Sequence, residues 1–186
     1  MMMMSSGEPK ILLDCDVFIH FLKGGKLYEL FKIFPGRFVM LDKVKRELLK
    51  RDSNQLMIAV VLAHTDLEEL VMPIDKEIVK EYFELKKQMD DGEAACLSVA
   101  RFKSEYVASS NISQVSSYCS AHNIELFTTM DLLLIACENG VLSEAECDEF
   151  ITEVRNKKSK LPCETLAEYK RIKKETPDSS SKTSRG

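Results

Sequence analysis

Three acidic residues stand where an α/β chain could do chemistry: Asp14 closes a short apolar run, Glu47 lies inside a predicted helix, and Glu93 follows Asp90, Asp91 and Gly92 at the start of another. Carboxylates about 5 Å apart repel by about 3 kcal/mol per pair at an effective dielectric of about 20. A cluster of them binds a cation or has its pKa values pushed upward. Oxygen donors suit hard cations, Mg2+ or Mn2+, which commonly retain waters. Such an ion lowers the pKa of a bound water and neutralises charge on a phosphate, the requirements of phosphodiester hydrolysis. Each acid also has an ordinary structural reading. Asp14 could cap a helix starting at Val17, and the others could complement helix dipoles for under about 1 kcal/mol each.

Other chemistries have less to build on. His20, His64 and His122 are far apart in sequence with no nucleophile signature, and are read as packing or surface residues. Cys15, Cys96, Cys119, Cys137, Cys147 and Cys163 form no CxxC pair, and several lie in apolar segments. Reduced, mostly buried thiols in a cytoplasmic protein are expected, not a disulfide framework or a zinc site. Asp14-Cys15-Asp16 also resembles the nucleophile motif of haloacid dehalogenase-like phosphatases. Phe18 departs from that motif, and no later acidic strand with a catalytic Lys is evident.

The elements that must position these residues read as alternating short strands and helices. Strands are expected at 11–15, 37–41, 70–74 (an edge, given Pro73), 106–109 and 124–128. Helical patterns lie between them. One runs over 17–34, interrupted by Gly24 and Gly25, and a second carries Val44, Glu47 and Leu48 with Asp42 as N-cap. Others cover 76–88, 93–102 after a break at Gly92, the stretch ending at His122, 132–138 and 144–154. This alternation predicts a three-layer α/β/α domain with a central parallel sheet. Function in such sheets sits at the carboxyl ends of the strands, at the switch point in strand order.

With 186 residues, the chain is read as one domain over 10–160, with a disordered leader at 1–9, a basic C-terminal helix at 161–175 and a disordered Ser-rich tail at 176–186. Twenty-six basic against 30 acidic residues give −4, which excludes a protein coated in phosphate-binding charge. The charge is uneven: residues 155–174 hold eight basic and two acidic side chains, a local +6 that leaves −10 elsewhere. No apolar stretch approaches the ~20 residues that span a bilayer, so no membrane association is expected.

Taken in order, several segments resemble the PIN domains, metal-dependent nucleases that include the toxin half of many bacterial toxin-antitoxin pairs. The carriers are Ile11-Leu12-Leu13-Asp14-Cys15-Asp16-Val17-Phe18-Ile19, Leu41-Asp42-Lys43-Val44-Lys45-Arg46-Glu47-Leu48, Asp91-Gly92-Glu93-Ala94-Ala95, Ala108-Ser109-Ser110-Asn111, Thr128-Thr129-Met130-Asp131 and Gly140-Val141-Leu142. The resemblance implies a sheet ordered 3-2-1-4-5 and an RNA substrate. It also implies a protein partner of the antitoxin kind and a homodimer.

Carried over, Asp14, Glu47 and Glu93 look like the family's first three acids, holding Mg2+ or Mn2+ and serving catalysis. The family's fourth acid, an Asp, is replaced by neutral Ser109-Ser110-Asn111. Asn111 is expected beside the three acids, able to ligate through its carbonyl oxygen. Asp131, just beyond the fifth strand, is expected either to supply the missing carboxylate to the metal or to cap the following helix. Asp16, Asp91 and Ser110 are expected to support the ligands without binding the ion directly. Lys43, Arg46 and Lys50 around Glu47 would contact phosphate without sequence choice, or form a solvated helix face. The expected activity is endoribonuclease. A degenerate RNA-binding or protein-interaction module without cleavage is the alternative, because of the Ser-Ser-Asn departure.

Overall fold

A computed structural model describes residues 7–50 and 55–176. Five parallel strands form one sheet in the order β3-β2-β1-β4-β5: β1 Ile11–Leu13, β2 Phe38–Leu41, β3 Glu68–Leu70, β4 Tyr106–Ala108 and β5 Leu126–Phe127. The order is the anticipated 3-2-1-4-5. Every residue of β1 and β2 is buried, as a sheet covered on both faces requires. The order in which strands are added across the sheet reverses between β1 and β4, which are parallel with Leu13 paired to Ala108. That junction is the switch point.

Among the described residues ten helices surround the sheet: α1 Cys15–Lys23, α2 Leu27–Ile33, α3 Asp42–Leu49, α4 Gln55–His64, α5 Lys76–Leu85, α6 Asp91–Lys103, α7 Ile112–Ala121, α8 Thr129–Glu138, α9 Glu144–Asn156 and α10 Leu166–Glu175. Helices α3, α5 and α6 pack as one set, and α1, α2, α8, α9 and α10 as another. Phe18, Phe21, Phe38 and Phe150 are the largest side chains fully enclosed in the core. Of the basic C-terminal helix expected over 161–175, Leu166–Glu175 forms a helix, α10, docked on α8 and α9, and 161–165 are not helical. Among the described residues no helix is long and apolar enough to cross a membrane. All six cysteines are free, four buried and two partly buried.

Several boundaries differ from expectation for physical reasons. The third strand is Glu68–Leu70, earlier than the apolar run that seemed to define it; Val71 and Ile74 of that run are 77% and 91% exposed. At an edge, pairing is decided by backbone register with β2 and not by side-chain burial. Asp42 is the first residue of α3, not its cap, and its carboxylate accepts from the Met72 N–H at 2.8 Å. Gly92 lies inside the first turn of α6 and breaks nothing. Helix α4 had no periodicity to betray it, being apolar nearly all round. The first six residues and the last ten, parts of the expected leader and tail, lie outside the described residues.

Candidate functional site

The site begins where the first strand runs out. Asp14 N–H donates to the Ala108 carbonyl at 3.0 Å, extending the β1–β4 ladder one residue past the strand ends. Asp14 occupies the N-cap position of α1, but its side chain makes no cap bond. Its Oδ2 accepts instead from the Ser109 hydroxyl at 3.3 Å, and the residue is 5% exposed. Burial pushes this carboxyl up to about 7; the Cys15 N–H opposes the shift, and Glu93, Asp16 and Glu47 add to it.

Glu93 comes from the first turn of α6 and is 4% exposed. Burial is again the main cause that lifts it to about 7, against the Asn111 hydrogen bond and with help from Asp16, Asp90 and Glu47. Its Oε2 accepts from Asn111 Nδ2 at 3.5 Å, a long contact. Its Oε1 is buried with no hydrogen-bond partner, the one such side-chain atom among the described residues. A buried carboxylate oxygen left bare costs at least about 1–3 kcal/mol, so a native structure needs a reason for it.

Glu47 reaches across from α3. Its Oε1 accepts from the Gly92 N–H at 3.0 Å and its Oε2 from the Cys15 thiol at 3.2 Å. Close approach of α3 and α6 depends on Gly92. A Cβ there would lie 2.8 Å from Glu47 Oε2 and 3.2 Å from the Val44 Cα. The missing side chain thus opens the first turn of α6 to a carboxylate, whose charge the helix N-terminus favours.

Asp14, Glu47, Glu93 and Asn111, from four separate places in the chain, line one cleft of 280 Å3. Cys15, Asp16, Leu48, Lys50 and Asp90 complete its wall. Asp16, expected as a supporting group, is exposed at the rim, and Lys50 is the one predicted phosphate contact that reaches the cleft. Asn111 carries no charge. Its amide divides between Glu93 and Gln114, and its Oδ1 accepts from the Ser113 hydroxyl at 3.3 Å.

Other expected members are engaged elsewhere. Asp131 is not in the cleft wall. It closes a capping box with Thr128 at the start of α8, and its Oδ1 accepts from the Tyr169 hydroxyl at 2.8 Å and from Lys173. Burial works to raise this carboxyl, but Lys173, Thr128 and Tyr169 together hold it below the usual range. Asp91 pairs with Lys86 at 2.8 Å and with the Tyr82 hydroxyl, on the far side of its helix turn from Glu93. Ser110 bonds the backbone and hydroxyl of Thr129, so the hydroxyl that supports an acid is that of Ser109. Lys43 stands over the Tyr82 ring at 5.4 Å, and Arg46 pairs with Asp42 at 3.5 Å. Much of the C-terminal positive charge is paired as well, Arg155 with Glu164, Lys157 with Glu153 and Lys170 with Glu144.

Sequence reasoning missed Cys15, Ser109, Asp90 and Gly92 as parts of the site. Only Gly92 gave a signal, a glycine between two acids where a helix starts, which marks a close approach of backbone. Ser109 differs from Ser110 only in which way the chain turns after β4.

Among the described residues no group of three or more His, Cys, Asp or Glu side chains is arranged, as they stand, to hold a metal ion. The donor chemistry nevertheless fits a hard cation: two buried carboxyls are destabilised as anions, and one carboxylate oxygen is without any partner. Without a cation these acids repel, and Glu47 is held aside by Gly92 and Cys15. No protein-family model matches the chain, and neither does any curated protein.

Proposed function

We propose that this chain is a PIN-like, Mg2+- or Mn2+-dependent endoribonuclease, with Asp14, Glu47 and Glu93 as the acids that hold the cation. The observation that carries the reading is the buried Glu93 Oε1 without a hydrogen-bond partner, on a residue that lines one cleft with Asp14 and Glu47 at the switch point of the sheet. A cation bound there would lower the pKa of a water and neutralise charge on the scissile phosphate.

The chain's own residues then have distinct tasks. Ser109 fixes Asp14, and Asn111 fixes Glu93. Gly92 and Cys15 hold Glu47 within one wall of the cleft. Lys50, at the exposed rim, supplies positive charge to a phosphate. Contacts of this kind recognise backbone and give no sequence preference. The test is cleavage of single-stranded RNA with Mn2+, which Asp14→Asn should reduce by about a hundredfold or more.

A second reading draws on the neutral Ser109-Ser110-Asn111 after β4, where the resemblance implies an Asp. It makes the chain a PIN-like module that binds RNA or a protein and does not cut. Mn2+-dependent thermal stabilisation with no cleavage of any nucleic acid would decide for it.

A further inference from the structure

We propose that a small cavity beside the acidic cleft is a subsite for one pyrimidine base of the RNA, walled in part by the segment that follows α9. The inference rests on the reading that the cleft handles an RNA phosphate. The two openings meet at the turn after β4, where Asn111 lines the cleft and Ser110 lines the second cavity. Consecutive Cα atoms are about 3.8 Å apart, so one nucleotide can set its phosphate at the first opening and its base in the second. The second cavity measures 50 Å3, and its apolar wall is Ile112, Met130, Leu161, Pro162 and Tyr169. That is room for about four waters, the bulk of a one-ring base and less than a purine's two rings.

A polar group at the same place can orient that base. Ser110 Oγ accepts from the Thr129 N–H at 3.2 Å and shares a hydrogen bond with the Thr129 hydroxyl, which His20 Nδ1 backs at 2.8 Å. A hydroxyl has one donor and two acceptor positions, so one position on Ser110 is left for a ligand. Beyond the cavity, Lys160 and Leu161 also line a wider opening of 490 Å3 with Arg155, Lys158 and Ser159. Lys23 Nζ ties this turn to α1, donating to the Lys157 carbonyl at 3.1 Å and the Ser159 hydroxyl at 2.7 Å. Arg155 is paired with Glu164, whereas Lys158 and Lys160 are exposed with no acidic partner among the described residues. A cation-loaded cleft, an apolar cavity and free lysines follow one another as phosphate, base and phosphate do along a single strand. An acidic peptide would satisfy the lysines but has no repeat of this kind.

Binding of fluorescein-labelled hexauridylate and hexaadenylate to the full chain, followed by fluorescence anisotropy in Ca2+, tests this. The uridylate should bind about fivefold or more tighter. Ile112, at the cavity, is 46% exposed and opens α7, where a carboxylate suits the helix N-terminus. Ile112→Glu should therefore keep the fold and remove the preference. Lys158→Ala with Lys160→Ala should weaken both RNAs and lower the slope of log affinity against log salt by about 1.4. Equal binding of the two RNAs, a preference that survives Ile112→Glu, or a salt slope unmoved by the lysine pair overturns the proposal. Cleavage with Mn2+ separates the two levels. If both RNAs are bound and cut alike and Asp14→Asn stops the cutting, the subsite fails and the nuclease reading stands. If the uridylate is preferred, the variants behave as expected and nothing is cut, the subsite stands and the nuclease reading fails.

Discussion

Two groups of carboxylates stand beyond the carboxyl edge of the same sheet and have been given opposite surroundings. After β5, Asp131 is half-buried and saturated, bonded to Thr128, Tyr169 and Lys173, and held below its usual pKa. After β1 and at the head of α6, Asp14 is buried with only the Ser109 hydroxyl and the Cys15 N–H, and Glu93 with one long contact from Asn111, and both are lifted to about 7. The first arrangement stabilises the fold as it stands; the second costs the fold free energy unless something positive is added. Burial raises carboxyl pKa values in both places, so burial alone does not mark a site. What separates them is the number of donors each acid meets.

The contrast can be broken most forcefully by pH. Asp14 and Glu93 titrate near 7 in the folded chain, above their ordinary 3.8 and 4.5. The folded state therefore binds the extra protons, and the stability present below pH 4 is lost as pH rises through about 7. The loss is at most about 4 kcal/mol per carboxyl. Urea unfolding of the cation-free protein should show its midpoint falling over that range, with Mn2+ restoring it at the upper end. The double variant Asp14→Asn, Glu93→Gln should flatten the fall, and an unchanged slope would show that the two acids are not strained. Asp131 has the reverse sign: its contribution is present above 3.8 and disappears as pH drops through its lowered folded value.

A smaller effect is expected at Gly92. Gly92→Ala forces its Cβ against Glu47 and the Val44 backbone, and should destabilise by about 1–3 kcal/mol. It should also weaken Mn2+ binding measured by calorimetry, because Glu47 loses its seat on α6. Full retention of both would mean that α3 yields without cost. Next, Asp131→Ala removes a capping box and the acceptor of the Tyr169 hydroxyl and the Lys173 ammonium. It should lower the unfolding free energy measured in urea by about 2 kcal/mol while leaving Mn2+ affinity unchanged. A loss of metal affinity there would move Asp131 back into the site. The smallest change belongs to Tyr169→Phe, about 1 kcal/mol by thermal melting, since Lys173 and Thr128 still satisfy the acid.

How far these features could be read beforehand follows from the same distinction. Alternation of short apolar runs with helical periods was enough for a parallel α/β sheet, and the ordered motifs pointed to the strand order and to Asp14, Glu47, Glu93 and Asn111. Those residues lie at element ends, where topology decides position. Asp131 was equally well placed by that rule; the capping alternative was legible locally from Thr128 to Asp131, but Tyr169 and Lys173, 38 and 42 residues further on, join it only in the fold. The donor count of an acid is a tertiary property. Cys15 and Ser109 escaped for a similar reason: each is a neighbour of a predicted residue whose side-chain direction depends on how the chain leaves its strand. The third strand was misplaced because hydrophobicity marks burial, and an edge strand has little.

The β1–β4 pairing has a consequence for how the molecule comes into being. Asp14 and Ser109, which donates to it, are 95 residues apart, and the cleft draws its lining from Asp14, from Asn111 just beyond Ser109, and from Glu47 and Glu93 between them. Contacts of such long range close late, after local helices have formed. During synthesis the chain therefore lacks an assembled cleft until its fourth strand has been made and has docked beside its first. A truncated or stalled product ending before that strand carries three of the acids but no means of gathering them.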